Sequence, residues 1–400
     1  MSSFGQNHQS SEYNICQTSP LLYLLTGLLL GCTFFLCPVG TKYFCIPIFL
    51  VILLSIAQQL KQKHNVLGNR SAMAEVVPWL PLTFAVITLT IAHGIDGYSI
   101  YFMCLALFTL GRFTLGNFHI HEKLAVFFLT ASLVVCCLAI IIYINCYGLG
   151  SYIFDINRNI LLCGLTLIFS AIFGALLTSY SFYTKAEITT LSLCCLLFLV
   201  VLSMTQVRTA ILGLVSLIPV VFIFIKKSPK IIFSLFMPLL LLIVSFFMTD
   251  RLQQGLHDLV LWNNGNPNSS WGIRLELWRF AISGFLEQPF YGWGPKPFHE
   301  MINSGLIWTV PNFDSSHFHS DFFNNLVSNG IIGVMGWLIT IALLLKYFWN
   351  NSALICILAT SLAMGLSERI WFDNKACLPV LVSLWLIFSV SKIHPKPQKN

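Results

Sequence analysis

Charged side chains are scarce in this sequence. Asp, Glu, Lys and Arg make up 9% of its 400 residues, whereas soluble domains usually contain about 25%. Apolar residues reach 56%, and the mean hydropathy is +0.80. So little charge excludes an ordinary soluble domain and predicts an integral membrane protein.

Motifs for metal, nucleic-acid and secretory functions are also missing. The chain has 13 cysteines but no CxxC pair and no Cys/His metal spacing, so we expect buried structural thiols. No arginine-rich stripe or stacking platform is present, which gives no reason to propose nucleic acid as a partner. Residues 1–18 contain no Lys or Arg, and no small-residue cleavage site follows the first apolar run. We expect that run to be a retained span rather than a signal peptide.

Long apolar runs recur along the whole chain. Each comes near the ~17 to 25 residues that cross a bilayer, where the backbone must satisfy its hydrogen bonds as helix. We therefore predict an all-α polytopic membrane protein with about 12 transmembrane helices. They fall near residues 19–38, 43–57, 76–94, 98–113, 124–144, 160–181, 188–207, 209–225, 231–248, 325–345, 352–366 and 376–390.

The placement of Lys and Arg predicts the orientation of these spans, because positive residues in short loops tend to stay in the cytoplasm. With the N-terminus inside, the cytoplasmic segments hold most of the Lys and Arg residues and the external segments hold most of the acids. Both termini should then be cytoplasmic. The basic charge balance of the chain therefore follows from its topology.

One connection between spans is much longer than the others. We divide the chain into transmembrane helices 1–9 over residues 1–248, an external loop with amphipathic helices over residues 249–324, and transmembrane helices 10–12 with a cytoplasmic tail over residues 325–400. The loop is too long for a passive connector. Because functional residues often lie on loops held by a rigid scaffold, we expect the chemistry there.

The loop sequence GIRLELWRFAISGFLEQPFYGWG, residues 272–294, predicts an amphipathic helix that Pro289 ends. The residues that share its apolar face are Ile273, Leu277, Phe280, Ala281 and Phe285. Glu276 and Arg279 are three residues apart and can pair. Arg274 has no acid three or four residues away and has Trp278 one turn on, so it is the cation we expect to be available, with Lys296 in the turn that follows.

A second arginine, Arg208 in TQVRTA, lies between two apolar spans at their predicted external ends and has no acidic neighbour in sequence. A lone arginine there can simply extend to lipid headgroups. With Arg274 on the same side, an anionic ligand is favoured. Guanidinium groups hold phosphate oxygens in a fork geometry and stay charged, so the two arginines suit a lipid diphosphate at the outer leaflet.

Titratable residues gather before the tenth span, in SSHFHSDFFNNLVSNG, residues 315–330. If Ser320 caps the next helix, His319 stands beside its positive end, which keeps a neutral imidazole available as a base. Two other interpretations remain open. The histidine is an interfacial cap, or His317, His319 and Asp321 share one face of an extended segment and bind a metal.

Four motifs together resemble the O-antigen ligases of Gram-negative lipopolysaccharide assembly. They are TQVR, GIRLELW followed by PFYGWG, HFHSDFFNNLVSNGIIGV and GLSERIWFD, over roughly residues 205–375. The resemblance implies an inner-membrane, inverting glycosyltransferase of the C type that uses no metal and no cofactor. Its implied donor is a glycan on undecaprenyl diphosphate, and its implied acceptor is a sugar hydroxyl of lipid A–core on the periplasmic side, among membrane lipids.

The family motifs place essential arginines at Arg208 and Arg274 and a histidine at His319. The family's histidine is usually followed by asparagine; here Ser320 follows it, and His317 is a second candidate. The pair Glu368 and Arg369 is predicted to form an external ion-paired turn that can touch the ligand. The residues that we expect to bind substrate are Arg208, Arg274, Arg279, His317, Trp278, Lys296 and Arg369.

Three other functions are alternatives to a ligase for this sequence. An O-antigen polymerase shares the donor but commonly carries two sizeable arginine-bearing external loops, and this chain has one. A protein O-oligosaccharyltransferase of the same superfamily typically has a longer region to hold a protein acceptor. A lipid or glycan transporter needs charges within its spans, and few of these spans contain any.

Overall fold

The computed structural model describes residues 76–95, 97–115, 122–148, 156–179, 183–205, 207–224, 250–310, 315, 317–372 and 377–390. Over these residues the secondary structure is helical, with no strand, which confirms the all-helical prediction for the described part of the chain. The spans predicted near residues 19–38, 43–57 and 231–248 lie outside the described residues.

The helices follow the apolar runs closely. A short 3-10 turn at Val77–Trp79 leads into the first of them. In chain order they are α1 (Leu80–His93), α2 (Ser99–Leu115), α3 (Glu122–Tyr147), α4 (Ile156–Ser179), α5 (Lys185–Thr205), α6 (Arg208–Val215), α7 (Leu217–Phe224), α8 (Asp250–Asn263), α9 (Ser270–Glu287), α10 (Pro297–Asn303), α11 (Asp321–Phe348), α12 (Ser352–Gly365) and α13 (Cys377–Val390).

Four helices of the described chain are long and apolar enough to cross a membrane. They are Ala125–Tyr147 in α3, Ile160–Leu177 in α4, all of α5 and all of α11. The run predicted as one span at 209–225 is two short helices, α6 and α7, separated at Ser216. The chain is therefore a helical protein with several membrane-spanning candidates.

Helix α4 forms the centre of the bundle. Helices α3, α6, α12 and α13 pack against it, and nearly all of its apolar span is buried. It is apolar on all sides, as expected for a helix surrounded by other helices. Polar contacts also cross the interface with α12: the hydroxyls of Ser170 and Thr360 lie 2.8 Å apart, and the Ser352 hydroxyl donates to the Gly174 carbonyl.

Helices α8, α9 and α10 lie on the long loop and build a second, smaller core. Ser269 caps α9 by accepting a hydrogen bond from the Gly272 N–H at 3.1 Å, and α9 ends two residues before Pro289. The predicted amphipathic helix is thus confirmed. Its apolar face packs into a cluster that contains Leu277, Phe280, Ala281, Phe298, Met301, Phe318 and Val327.

Helix α11 contains a break that the sequence did not predict. Gly330 has φ 59° and ψ −160°, outside the helical region. The backbone groups released there bond to the PFYGWG segment: Ile331 N–H donates to the Pro289 carbonyl at 2.8 Å, and Trp293 N–H donates to the Val327 carbonyl at 2.8 Å. The break therefore joins the long loop to α11, and these released backbone groups have other hydrogen-bond partners.

Gly330, Gly333 and Gly336 recur every three residues, a spacing that predicts a close-packing face of one span. Gly336 does lie against α1, since a Cβ at this position would be 2.6 Å from the Ala85 Cβ. Gly333 faces the side chains of Asn325 and Asn329 on its own helix. Gly330 has a different role, because its positive φ makes the break.

Candidate active site

Three residues before α11 alternate between the solvent side and the small core. Phe318 is fully buried, and its ring lies 6.3 Å from that of Phe298. The rings of His317 and His319 project to the other side of the segment, where they lie 4.2 Å apart. Trp278 fixes the segment, because its Nε1–H donates to the Phe318 carbonyl at 3.0 Å. Helix α9 thereby sets the position of both histidines.

The backbone at His319 is unusual. Its φ is +48°, and among the described residues it is the only non-glycine residue with a positive φ. Left-handed backbone is uncommon outside glycine and often marks a functional site when the surroundings hold it. Here the turn brings the His319 ring back beside the His317 ring just before α11 begins.

Glu368, from the turn after α12, joins the two histidines. Its Oε1 lies 2.9 Å from His317 Nε2, and its Oε2 lies 3.3 Å from His319 Nδ1. An ionised carboxylate only accepts hydrogen bonds, so each ring nitrogen must donate to it. The motif GLSERIWFD predicts Glu368 only as half of an ion-paired turn, and Glu368 is not among the site residues predicted from the sequence.

Asp321, the first residue of α11, holds the Glu368 turn in place. Its carboxylate is completely buried and accepts hydrogen bonds from the backbone N–H groups of Ile370 at 2.9 Å, Trp371 at 3.0 Å and Phe372 at 3.3 Å. Ser320 occupies the N-cap position of α11, but its side chain makes no capping bond. The carboxylate of Asp321 therefore connects the histidine segment to the turn that carries Glu368.

The charge state of the cluster follows from burial and hydrogen bonding. Burial raises the pKa of Glu368, but the hydrogen bonds from His317 and His319 outweigh it, so the pKa of Glu368 lies well below its usual range. Burial lowers the pKa of His317 more than Glu368 raises it. At neutral pH we therefore take Glu368 as ionised and His317 as neutral.

Arg274 is electrostatically coupled to this cluster. Its guanidinium lies 5.9 Å from the ring of Trp271, and Arg274 itself lies one helical turn before Trp278. Burial lowers the pKa of Arg274, and the Glu368 carboxylate raises it. Because arginine remains charged in proteins, α9 provides a half-buried cation within the electrostatic reach of the Glu368 carboxylate.

Two further arginines of the predicted site, Arg208 and Arg369, are placed through their neighbours. Arg208 is the first residue of α6, and the hydroxyl of the next residue, Thr209, accepts a hydrogen bond from Ser367 at 3.2 Å. The start of α6 thus contacts the turn that contains Glu368. Arg369 follows Glu368 directly, and its charge acts on His317.

Arg279 and Lys296 are both exposed, neither is among the described contacts of the histidines or Glu368, and Lys296 lies just before α10. The predicted pairing of Glu276 with Arg279 is not found among the described contacts. Glu276 instead accepts hydrogen bonds from Trp262 at 2.9 Å and Thr309 at 3.0 Å. Glu276 therefore stabilises the packing of α8 on α9.

A metal site that contains both histidines would use Glu368, and not Asp321, as its third ligand. His317, His319 and Glu368 each offer one ligand atom within 4.8 Å of the others, whereas the Asp321 carboxylate is turned to the backbone of residues 370–372. Two neutral imidazoles and a carboxylate are suitable ligands for zinc. The same three groups also suit a base held by a carboxylate, so the chemistry of the cluster has two possible forms.

Comparison with known proteins supports the resemblance carried by the motifs. Residues 193–338 match the sequence profile of the O-antigen ligase family, Wzy_C. A curated relative from Escherichia coli (strain K12), described as an O-antigen ligase, is 22% identical over 215 residues, which cover 50% of this chain and 51% of the relative. The chain thus spans about half the length of the curated relative that it matches. Residues 193–338 are therefore similar in sequence to the O-antigen ligase family.

Proposed function

We propose that the protein is an O-antigen ligase that transfers a glycan from undecaprenyl diphosphate to a sugar hydroxyl of lipid A–core. The proposed reaction is inverting, uses no metal, and takes place at the periplasmic face of the inner membrane. The observation that carries the proposal is the coupling of Arg274 to a carboxylate-held histidine pair directly before an apolar helix, α11. A base and a cation lie together where two lipid-borne substrates can meet.

The base acts on the acceptor. A glycosyl diphosphate already has a good leaving group, so the main requirement on this side is to remove the proton of the attacking hydroxyl. We assign this step to His319, whose ring nitrogen takes the proton as the hydroxyl oxygen forms a bond to the anomeric carbon. The hydroxyl oxygen of the acceptor attacks from the face opposite the leaving diphosphate, so the anomeric configuration inverts.

The cations act on the donor. As the bond between the anomeric carbon and the phosphate oxygen breaks, negative charge grows on the departing undecaprenyl diphosphate. Arg274 and Arg208 are proposed to bind its oxygens, because guanidinium groups form paired, charge-assisted hydrogen bonds with phosphate. Trp278 holds Arg274 and the histidines in fixed relative positions, because it lies on α9 with Arg274 and its Nε1–H donates to the Phe318 carbonyl.

A deletion strain tests which glycan transfer the protein performs. A ligase predicts loss of polymer from lipid A–core and accumulation of long chains on undecaprenyl diphosphate. A polymerase predicts single repeat units attached to the core instead. Complementation with the intact gene and with His319→Ala, compared at equal expression, ties the phenotype to the proposed site.

A purified assay tests the absence of a metal requirement. Enzyme, lipid-linked donor and lipid A–core are incubated with and without EDTA, and we expect equal ligation in both samples. Complete loss of activity in EDTA that zinc or manganese restores would falsify the metal-free reaction. In that case His317, His319 and Glu368 would be assigned as ligands.

A further inference from the structure

We infer that Glu368 is the positioning residue of the base, and that it determines which nitrogen of His319 takes the proton. The inference rests on the proposed function, because it concerns the same histidine. It starts from the contact of the Glu368 carboxylate with both rings, at 2.9 Å to His317 Nε2 and 3.3 Å to His319 Nδ1.

The two histidines bind Glu368 through different nitrogens. His319 uses Nδ1, which lies near its own backbone, so the proton on Nδ1 leaves the lone pair on Nε2 at the tip of the ring. His317 uses Nε2, so its tip is already engaged. His319 is also the more exposed side chain, at 24% against 17%. The geometry therefore favours His319 as the proton acceptor and His317 as a second donor to Glu368.

A carboxylate is required for this arrangement because it can accept hydrogen bonds from two ring N–H groups at once. A glutamine has one acceptor oxygen and one NH₂ group. Its NH₂ would face one of the rings and force that ring to accept, which moves the ring proton to the other nitrogen. If the ring is His319, its Nε2 carries the proton and can no longer act as a base.

The carboxylate also stabilises the product of the proton transfer. When His319 accepts a proton from the hydroxyl, the imidazolium lies beside a negative charge that the protein holds in place before the reaction begins. Among the described residues, the other titratable and charged groups near His319 and Glu368 are His317, Arg369 and Arg274, together with the buried Asp321. The Asp321 contacts with residues 370–372 fix the turn, so Glu368 does not have to be ordered during the reaction.

The test compares Glu368→Gln with a matched control in the purified ligation assay. Glu276→Gln is the control, because Glu276 also accepts two hydrogen bonds in the same part of the protein but does not contact the histidines. For Glu368→Gln we expect kcat to fall by about 10- to 100-fold with little change in the KM for the donor. The acid limb of its pH–rate profile should move to lower pH, because no charge then stabilises the imidazolium. Glu276→Gln should keep the wild-type kcat and profile.

Three results would overturn the inference. The first is an unchanged kcat for Glu368→Gln, and the second is a lower kcat without movement of the acid limb, which would indicate a purely structural role. The third is one bound zinc per wild-type molecule that is lost in Glu368→Gln, which would make the three groups a metal site. If Glu368→Gln does not fold, Glu368→Asp keeps the charge and should retain the wild-type acid limb at reduced kcat; a shifted limb in this variant would also contradict the inference.

A measurement without substrates separates this inference from the proposed function. Diethylpyrocarbonate reacts with the lone pair of an accessible neutral imidazole, and mass spectrometry of the His319 peptide gives the rate. We expect Glu368→Gln to slow this modification and Glu276→Gln to leave it unchanged, even if the wild-type protein ligates no glycan. Equal rates in all three proteins would contradict the role of Glu368, whatever the activity assay shows.

Discussion

The histidines that precede α11 differ in their surroundings, and each predicts a different mutational effect. His319 has a left-handed backbone and keeps its tip nitrogen out of the Glu368 contact, whereas the tip nitrogen of His317 bonds to Glu368. General bases contribute roughly 10²- to 10⁴-fold. We expect His319→Ala to reduce ligation by that order while donor binding is kept, and His317→Ala to be milder. Initial rates at equal protein amounts measure both, and a reversed order of severity would move the base to His317.

The arginines of α9 provide a second residue-scale prediction. Arg274 is half-buried and coupled to Glu368, whereas Arg279 is exposed on the same helix. Loss of a charge-assisted contact costs about 1.5 to 3 kcal/mol, or roughly 10- to 150-fold. Arg274→Ala should lose that much transfer, Arg274→Lys should recover part of it, and Arg279→Ala serves as the control. A larger defect in Arg279→Ala at equal expression would show that the wrong arginine was chosen. Arg208→Ala is expected to behave as Arg274→Ala does.

At the scale of elements, the contact between α11 and the Glu368 turn depends on Asp321. Asparagine at this position would turn an NH₂ group toward backbone N–H groups in a buried site, and an unsatisfied buried donor costs about 1 to 3 kcal/mol. We expect Asp321→Asn to lower the melting temperature in detergent and to lower kcat, because the turn holds Glu368. Asp258→Asn is the control, since Asp258 is partly exposed and accepts one long hydrogen bond, 3.4 Å from Trp271 N–H. Equal melting temperatures for the two variants would show that the contact is dispensable.

The break in α11 provides a second element-scale prediction. An added Cβ at Gly330 would lie 2.4 Å from the Phe290 carbonyl oxygen, and the backbone there lies in a region that is open almost only to glycine, at a cost of about 1 to 3 kcal/mol for other residues. Gly330→Ala should therefore lower the melting temperature clearly. Gly265→Ala is matched to it, because Gly265 also has a positive φ, +82°, but nothing within 4 Å of an added Cβ. If both variants lose the same stability, backbone strain alone is responsible and the contact with Phe290 adds nothing.

At the scale of the whole molecule, the distribution of Lys and Arg predicts that residues 249–324 are periplasmic and that residues 226–230 and the C-terminus are cytoplasmic. Alkaline phosphatase is active only after export, so a fusion after Gly265 should be active and a fusion after Lys396 should be inactive. Immunoblots establish that both fusions are expressed. The opposite pattern would reject the topology and, with it, a site that faces the periplasm.

Helix α9 shows how much of the site could be predicted from the sequence. Its apolar spacing and Pro289 define a helix, which the structure confirms at Ser270–Glu287. The same spacing places Arg274 one turn from Trp278, and both lie on the side that meets the histidine segment. These features are local, because helix periodicity, capping and termination act over a few residues.

Length, periodicity and short motifs are enough to predict the helical membrane class, the amphipathic helix of the long loop, and the arginines and histidines as candidate site residues. Three features could be seen only in the folded chain: Glu368 joins His317 across 51 positions of the chain, Asp321 bonds to the turn at residues 370–372, and α11 breaks at Gly330. A carboxylate can pair with any donor that the fold brings to it. A glycine within an apolar run is compatible with a continuous helix until the carbonyls of Pro289 and Phe290 supply other partners for the N–H groups that follow it. These contacts depend on segments far apart in sequence, and therefore no local pattern encodes them.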